Sequence, residues 1–161
     1  MNISADKYFD RMNEILEKKK ALLRDMLSLT EAQTSAITAD SLDALQGLVE
    51  KKQQKIDAIN RLDEDFGVYF ERLKTLLKIR KFEDIDLSAF PAARKLKEIT
   101  SEILELIGCI SKIEKQNNEK SKKLLDTIGS KIKQLNQGKK INNAYNPAPQ
   151  STSSFFLDKK K

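Results

Sequence analysis

The sequence predicts an all-α protein, in which a long antiparallel helical hairpin and a third helix form an elongated three-helix bundle followed by a flexible C-terminal tail. Three observations support this prediction. Apolar residues recur at steps of three and four over several heptads. Only five glycines and three prolines occur in 161 residues, and 39% hydrophobic with 34% charged residues suits helices that each bury one face. We predict helices at about 4–38, 41–78 and 91–137 in a bundle of residues 1–138, and a tail of residues 139–161.

The first helix carries the longest apolar seam of the chain. Its seam positions alternate steps of three and four from Tyr8 to Ala36, which is typical of a coiled-coil-like interface. Lys19 and Gln33 interrupt the seam. We expect Lys19 to lay its aliphatic stem along the seam with its charge in water. We expect Gln33 to form a hydrogen bond with the facing helix near the turn.

The connection to the second helix is very short. Thr38, Asp40 and Ser41 are residue types that cap helix N-termini. A connection of this length requires the two helices to run antiparallel. The second helix repeats the apolar rhythm, with Lys52 at one seam position and Gly67 beside aromatic residues. We expect close packing against a neighbouring helix to explain this glycine.

A loop separates the second helix from the third. After residue 77 charged and apolar residues alternate without helical spacing, and Pro91 suits the first turn of a new helix, where its missing N–H leaves no bond unmade. We expect the apolar residues of the loop to turn towards the end of the bundle. These residues are Phe82, Ile85, Leu87 and Phe90.

The third helix contains two apolar stretches that are separated by a polar insert. The first stretch spans residues 96–113 and includes the single cysteine, Cys109, which we expect to be a small core residue. Residues 115–123 contain no apolar side chain, and the stripe returns over residues 124–135. The insert indicates that the second stretch is a separable amphipathic segment, which projects beyond the bundle or docks there loosely.

The basic charge of the chain is concentrated in its last third. Residues 1–110 hold 18 Lys/Arg and 20 Asp/Glu, a net charge of −2, whereas residues 111–161 hold 12 Lys and 4 acidic residues, a net charge of +8. Such a bias could attract nucleic acid or an anionic membrane surface. Residues 111–161 contain no arginine, however, and arginine is favoured for bidentate phosphate contacts. We therefore expect no nucleic-acid binding.

The predicted tail combines a flexible composition with a few bulky apolar groups. Residues 139–161 include two prolines and a Ser/Thr run, a composition that favours disorder. The exceptions are Tyr145, Phe155, Phe156 and Leu157. Such groups gain nothing from exposure to water. They either pack against the bundle or bind a partner, and the residues alone leave both alternatives open.

The sequence gives little support for catalysis. It contains no histidine, no glycine-rich phosphate loop and no pair of cysteines. We therefore predict no catalytic, cofactor-binding or metal-binding residues. No apolar segment approaches the roughly 20 residues that span a bilayer, and the first residues carry acids where a signal peptide would be apolar. We expect a cytoplasmic protein without stable membrane insertion.

The hairpin contains a recurring set of polar and apolar residues at fixed spacing. The set comprises Leu29-Thr30-Glu31-Ala32-Gln33, Ile37, Asp40, Leu45, Leu48, Lys52-Gln53, Ile56, Ile59 and Leu62. It resembles the pattern L-T-x-x-Q, D, L-x-x-L, K-Q and I-x-x-L of the FlgN-type flagellar export chaperones. The layout of two long helices, a third helix and a basic tail is similar as well, so the resemblance covers the full length of the chain.

The resemblance implies an all-α cytosolic chaperone for the flagellar type III export apparatus. Its cargo would be the hook-filament junction proteins FlgK and FlgL, which it would keep from premature assembly before secretion. The family binds cargo towards its C-terminal end, and the second stretch of the third helix is separated from the main seam. The hypothetical cargo-binding residues are therefore Leu124, Leu125, Ile128, Ile132 and Leu135. The hypothetical residues for docking on the export apparatus are Tyr145, Phe155, Phe156 and Leu157.

Two alternative functions stay open from the sequence. The chain is compatible with a homo-oligomeric coiled-coil structural protein whose seam pairs with itself. It is also compatible with a chaperone for a different type III export cargo. Self-association does not by itself distinguish these classes, because an export chaperone can be a homo-oligomer too.

Overall fold

The computed structural model describes residues 3–141, with side chains from residue 5 to 138, and this part consists of three α-helices without a β-strand. Two single-turn 3-10 helices lie in the connections, at Ala39–Ser41 and Phe82–Asp84. The α-helices are α1 (Ile3–Ala36), α2 (Leu42–Leu77) and α3 (Pro91–Ile141). The predicted all-α, three-helix architecture is confirmed, and the third helix continues beyond its predicted end.

Helix α1 is the central element of the bundle. It packs closely against both α2 and α3, whereas α2 and α3 approach each other much less. Asn13 Nδ2 donates to the carbonyl oxygen of Ala92 at 3.0 Å, and Lys20 Nζ pairs with Glu102 Oε2 at 2.7 Å. The residue numbers of the contacting residues increase together along both helices, so α1 and α3 run parallel. Helix α2 runs antiparallel to both, as the short turn predicts.

The core follows the apolar seam of α1 and draws on all three helices. Phe9 and Met12 of α1, Leu73 of α2 and Leu96 of α3 are fully buried. Burial of one side chain of this size stabilises the fold by about 1.5–3 kcal/mol. The predicted seam of α1 supplies Met12, Ile15 and Met26 to this core, whereas the buried Phe9 and Leu16 lie one position beyond predicted seam residues.

The loop between α2 and α3 covers one end of the core. Lys78 adopts a left-handed conformation with φ of 57° and ends α2. As predicted, the apolar residues of the loop turn inwards, and α3 begins at Pro91. Ile85 is buried, and the partly buried loop residues on the core are Phe82, Leu87 and Phe90.

Polar contacts fix the path of the loop. Ser88 donates to Asp86 Oδ1 from its hydroxyl at 2.6 Å and from its backbone N–H at 3.0 Å. These hydrogen bonds from Ser88 lower the pKa of the exposed Asp86 carboxyl. Arg94 Nε donates to the carbonyl oxygen of Leu87 at 3.2 Å, which joins the loop to the first turn of α3.

The structure corrects two predictions about single residues of the helices. Cys109 is exposed and not a core residue. Ile110 occupies the inward position, and a rotation of about 100° per residue directs Cys109 away from the core. Gly67 does not mark a close approach of helices, because a Cβ added there would have no heavy atom within 4 Å. Close packing therefore does not explain this glycine.

The polar side chains around the hairpin also differ in part from expectation. The charge of Lys19 is paired as well as partly exposed, because its Nζ lies 2.8 Å from Asp63 Oδ1 on α2. Neither Thr38 nor Ser41 forms a side-chain capping bond. Backbone bonds close the turn instead, including the bond from Ser41 N–H to the Thr38 carbonyl oxygen at 3.2 Å.

Candidate functional site

A buried polar junction connects all three helices near the hairpin turn. Lys52 of α2 is 6% exposed, and its Nζ donates to Gln33 Oε1 of α1 at 2.9 Å. The same ammonium group pairs with the carboxylate of Glu114 on α3. The predicted hydrogen bond of Gln33 to the facing helix is confirmed. The sequence did not identify Glu114 as the third member, because the register of α3 does not follow from its spacing.

A second set of polar contacts lies one turn closer to the hairpin turn. Asn117 is 2% exposed; its Nδ2 donates to the Thr30 carbonyl oxygen at 3.1 Å, and its Oδ1 accepts from Thr34 Oγ1 at 2.7 Å. Lys120 Nζ donates to the Thr34 carbonyl oxygen at 2.5 Å. The polar insert of residues 115–123 is therefore part of the α1–α3 interface. This corrects the expectation that the insert separates the end of α3 from the bundle.

A small apolar cluster closes the bundle at the hairpin turn. Ile37 and Leu45, on either side of the turn, are 4% and 2% exposed. Leu124 of α3 packs against them, together with Ala36 and Leu42. Of the five residues predicted to bind cargo, Leu124 is thus the one that packs onto the hairpin.

The other four predicted cargo residues form what we call the distal stripe, and they lie on α3 beyond the hairpin turn. They belong to neither apolar cluster of the bundle. Three of them are partly exposed, and Leu135 is 65% exposed. Helix α3 continues from residue 125 to 141 over about 25 Å. The distal stripe consists of Leu125, Ile128, Ile132 and Leu135.

The residues predicted to dock on the export apparatus lie outside the described part of the chain. They are Tyr145, Phe155, Phe156 and Leu157. Packing of these side chains against the bundle and binding of a partner therefore both stay predictions.

A second apolar surface, which the sequence did not indicate as a site, lies at the opposite end of the bundle. It is a groove of about 630 Å³ between α2, the α2–α3 loop and α3. The aromatic residues of α2 were visible in the sequence, but the groove forms because α2 and α3 do not meet there. Its apolar lining consists of Phe66, Phe70, Phe82, Ile85, Leu87 and Leu96.

These surfaces are lined mainly by apolar side chains, which suits association with apolar groups of a partner. Within residues 3–141, no group of three or more metal-ligating side chains converges on one point. No helix in this part has the length and apolar character that crossing a membrane requires. The polar side chains at the apolar groove, such as Glu83, Lys97 and Thr100, lie among aliphatic and aromatic neighbours without a nucleophile–base pair.

Comparison with known proteins identifies the family. Residues 1–153 match the family profile of the FlgN protein. The chain belongs to the FlgN family. Comparison with curated proteins and with solved structures gave no match. Membership in the FlgN family makes this chain a flagellar export chaperone, which is a binding protein and not a member of an enzyme family.

Proposed function

We propose that this FlgN-family protein binds the hook-filament junction proteins FlgK and FlgL in the cytoplasm and keeps them from assembling before secretion. The distal stripe is the proposed cargo-binding surface. Junction proteins assemble through helical ends whose apolar faces need cover until they pack. An amphipathic helix of the chaperone can provide that cover reversibly.

The exposure of the distal stripe is the observation that carries this proposal. Leu125, Ile128 and Ile132 are partly exposed, and Leu135 is largely exposed on α3. A side chain of this size gains about 1.5–3 kcal/mol from full burial. The unused part of this free energy is available to a partner that covers the stripe.

A double substitution tests the cargo surface. Leu125→Asp combined with Ile132→Asp should abolish binding of FlgK and FlgL, because each carboxylate would have to be buried against the cargo. Helical content and the melting temperature should stay nearly unchanged, since neither residue belongs to the core clusters. Isothermal titration calorimetry measures cargo binding, and circular dichroism measures helical content and the melting temperature. A collapse of the melting transition would assign the stripe to the core instead.

Two single substitutions provide a matched comparison on the same helix. Leu135 in the stripe and Leu104 outside it are 65% and 63% exposed. Leu135→Asp should weaken cargo binding, whereas Leu104→Asp should leave it unchanged. Equal effects of the two substitutions would show that α3 hydrophobicity in general, and not the stripe, determines affinity.

The tail has a separate proposed role in docking on the export apparatus. Tyr145 and Phe155–Leu157 are the proposed anchors, because isolated bulky groups in a polar segment suit rapid binding and release. Deletion of residues 139–161 should preserve cargo affinity and reduce secretion of FlgK and FlgL. Loss of cargo affinity on deletion would contradict this division of roles.

A further inference from the structure

The distal stripe is bordered by an uncompensated positive charge. Between residues 120 and 140 the sequence holds seven lysines and a single carboxylate, Asp126. Lys122, Lys131 and Lys133 are exposed. Among the residues that the structure describes, none of these three lysines forms an ion pair. Within the described residues, the border of the stripe therefore carries positive charge that no carboxylate of the bundle neutralises.

The spacing of the stripe gives two of these lysines defined positions. Leu125, Ile128 and Ile132 follow one another at steps of three and four, which are the a and d positions of a heptad. Lys122 then falls at an e position and Lys131 at a g position. Charges at e and g flank the apolar seam and determine which helix can pair with it.

We infer that the partner of the distal stripe is an amphipathic helix whose own apolar face is bordered by aspartate or glutamate. The inference rests on the proposed function of the stripe and adds the charge pattern of its partner. Carboxylates on the partner helix approach Lys122 and Lys131 when the two apolar faces meet. The attraction favours this partner over a helix of equal hydrophobicity with basic borders.

The same charges disfavour a second copy of this chain at the stripe. Pairing of two α3 helices at the stripe would bring together two segments that each hold seven lysines and one carboxylate, and this net like charge opposes pairing. The segment Lys159–Lys161 adds three further positive charges to the tail. This lysine segment is therefore a poor match for the stripe as well.

The shape of the stripe favours a helical partner over a lipid surface. Residues 120–140 contain no aromatic side chain, and steps of three and four produce a narrow seam and not a broad apolar face. Helices that lie in a membrane interface combine a basic face with a broad apolar face that often carries Trp or Phe. The lysines alone would suit a helical partner or an anionic lipid surface. The narrow apolar seam of the stripe suits the helical partner.

Two synthetic peptides test the inference on the full-length chain. Both carry Leu and Ile at a and d; one has Glu and the other Lys at e and g. Fluorescence anisotropy should give at least about tenfold tighter binding of the Glu peptide at 50 mM NaCl, and the preference should shrink at 500 mM as salt screens the charges. Equal affinities at 50 mM NaCl would overturn the inference.

Charge reversal on the chaperone provides the matched test. Lys122→Glu combined with Lys131→Glu should reverse the preference, so that the Lys peptide binds more tightly. Lys112→Glu combined with Lys123→Glu makes the same change in net charge on the same helix, at exposed positions that point away from the stripe. This control should retain the preference for the Glu peptide. Reversal in both variants would show a general charge effect and refute a defined border.

Two further arms separate this inference from the proposed function. Vesicles of phosphatidylserine and phosphatidylcholine should bind the chain more weakly than the Glu peptide does, and tighter vesicle binding would overturn the helical partner. FlgK and FlgL should lose affinity for the variant with Lys122→Glu and Lys131→Glu. If only the substitutions at Leu125 and Ile132 weaken cargo binding, the charge inference fails and the proposed function stands. If neither this pair of substitutions nor the pair at Lys122 and Lys131 weakens cargo binding, both the charge inference and the proposed function fail.

Discussion

Lys52 carries a positive charge inside the bundle because acceptors on two other helices surround its ammonium group. Gln33 contributes an amide oxygen and Glu114 a carboxylate. Burial of a charge is costly unless it is paired and hydrogen-bonded. The junction therefore requires α1, α2 and α3 to be in one register, and it distinguishes this register from others that an apolar seam alone would tolerate.

Removal of one partner from the junction should destabilise the fold more than removal of two. Lys52→Met leaves Gln33 Oε1 buried without a donor, and we expect the free energy of unfolding to fall by about 1–3 kcal/mol. Combination with Gln33→Leu should recover the part of this loss that comes from the unpaired amide oxygen, whereas Glu114, whose side chain is 30% exposed, loses its cation in both variants. Urea denaturation measures both values, with Lys51→Met at the exposed neighbouring position as the control. If the two substitutions lowered the free energy of unfolding additively, this would contradict the contact between Lys52 and Gln33.

The exposed cysteine gives a second prediction for a single residue. Cys109 should react with Ellman's reagent in the native protein to one equivalent, because its thiol is accessible without unfolding. The same reaction in guanidinium chloride provides the control for total thiol. If the thiol reacts only in denaturant, a partner or a second copy covers this face of α3.

Sequence reasoning located some of these residues and misjudged others for identifiable reasons. A polar residue in an apolar seam must find a partner, so Gln33 was predictable from one helix. The exposure of Cys109 was not predictable, because Leu104, Leu106 and Ile107 between Ile103 and Ile110 obscure which face of α3 is inside. The partner of Lys52 was not predictable either, since the register of α3 depends on contacts more than 60 residues apart in the chain.

Helix α3 changes its mode of packing along its length. Its first part joins the main core through Leu96, Ile99 and Ile103. Its middle part uses polar contacts such as those of Asn117. Its last part, after Leu124, carries the distal stripe beyond the hairpin turn. The helix is continuous over all three parts, so continuity of secondary structure does not imply uniform stability.

Hydrogen exchange should resolve these parts of α3. We expect amides of residues 125–138 to exchange well before those of residues 93–110, because the latter can open only by exposing the main core. Exchange mass spectrometry of the full chain measures both segments, with α1 residues 12–26 as the protected reference. Equal protection along α3 would contradict the separation into parts.

Helix α2 contains a glycine whose replacement should stabilise the protein. A methyl group at Gly67 would meet no steric obstacle, because no heavy atom lies within 4 Å of an added Cβ. Gly67→Ala should raise the free energy of unfolding by about 1 kcal/mol, the difference in helix propensity. Thermal or urea unfolding measures the change. Destabilisation would indicate a close contact at this position in solution.

At the level of elements, the sequence predicted more of the fold than of the site. Steps of three and four, the short turn and Pro91 were sufficient for three helices and their order. The polar insert of residues 115–123 was misinterpreted, because Asn117 and Ser121 are buried by polar contacts and small size and not by hydrophobicity. A pattern of apolar residues does not reveal such an interface.

The whole molecule should be long for its number of residues. The 51 residues of α3 extend over about 76 Å, whereas a compact chain of 161 residues has a radius of gyration of about 15 Å. Small-angle scattering should give a maximum dimension of at least about 75 Å. Size-exclusion chromatography with light scattering provides the mass. A folded-back α3 would give a smaller dimension.

The central position of α1 has a consequence for synthesis on the ribosome. This helix is translated first, yet one of its two packing partners begins only at Pro91. The nascent hairpin of α1 and α2 must therefore wait, with one flank of α1 uncovered, until the residues that follow Pro91 have been translated.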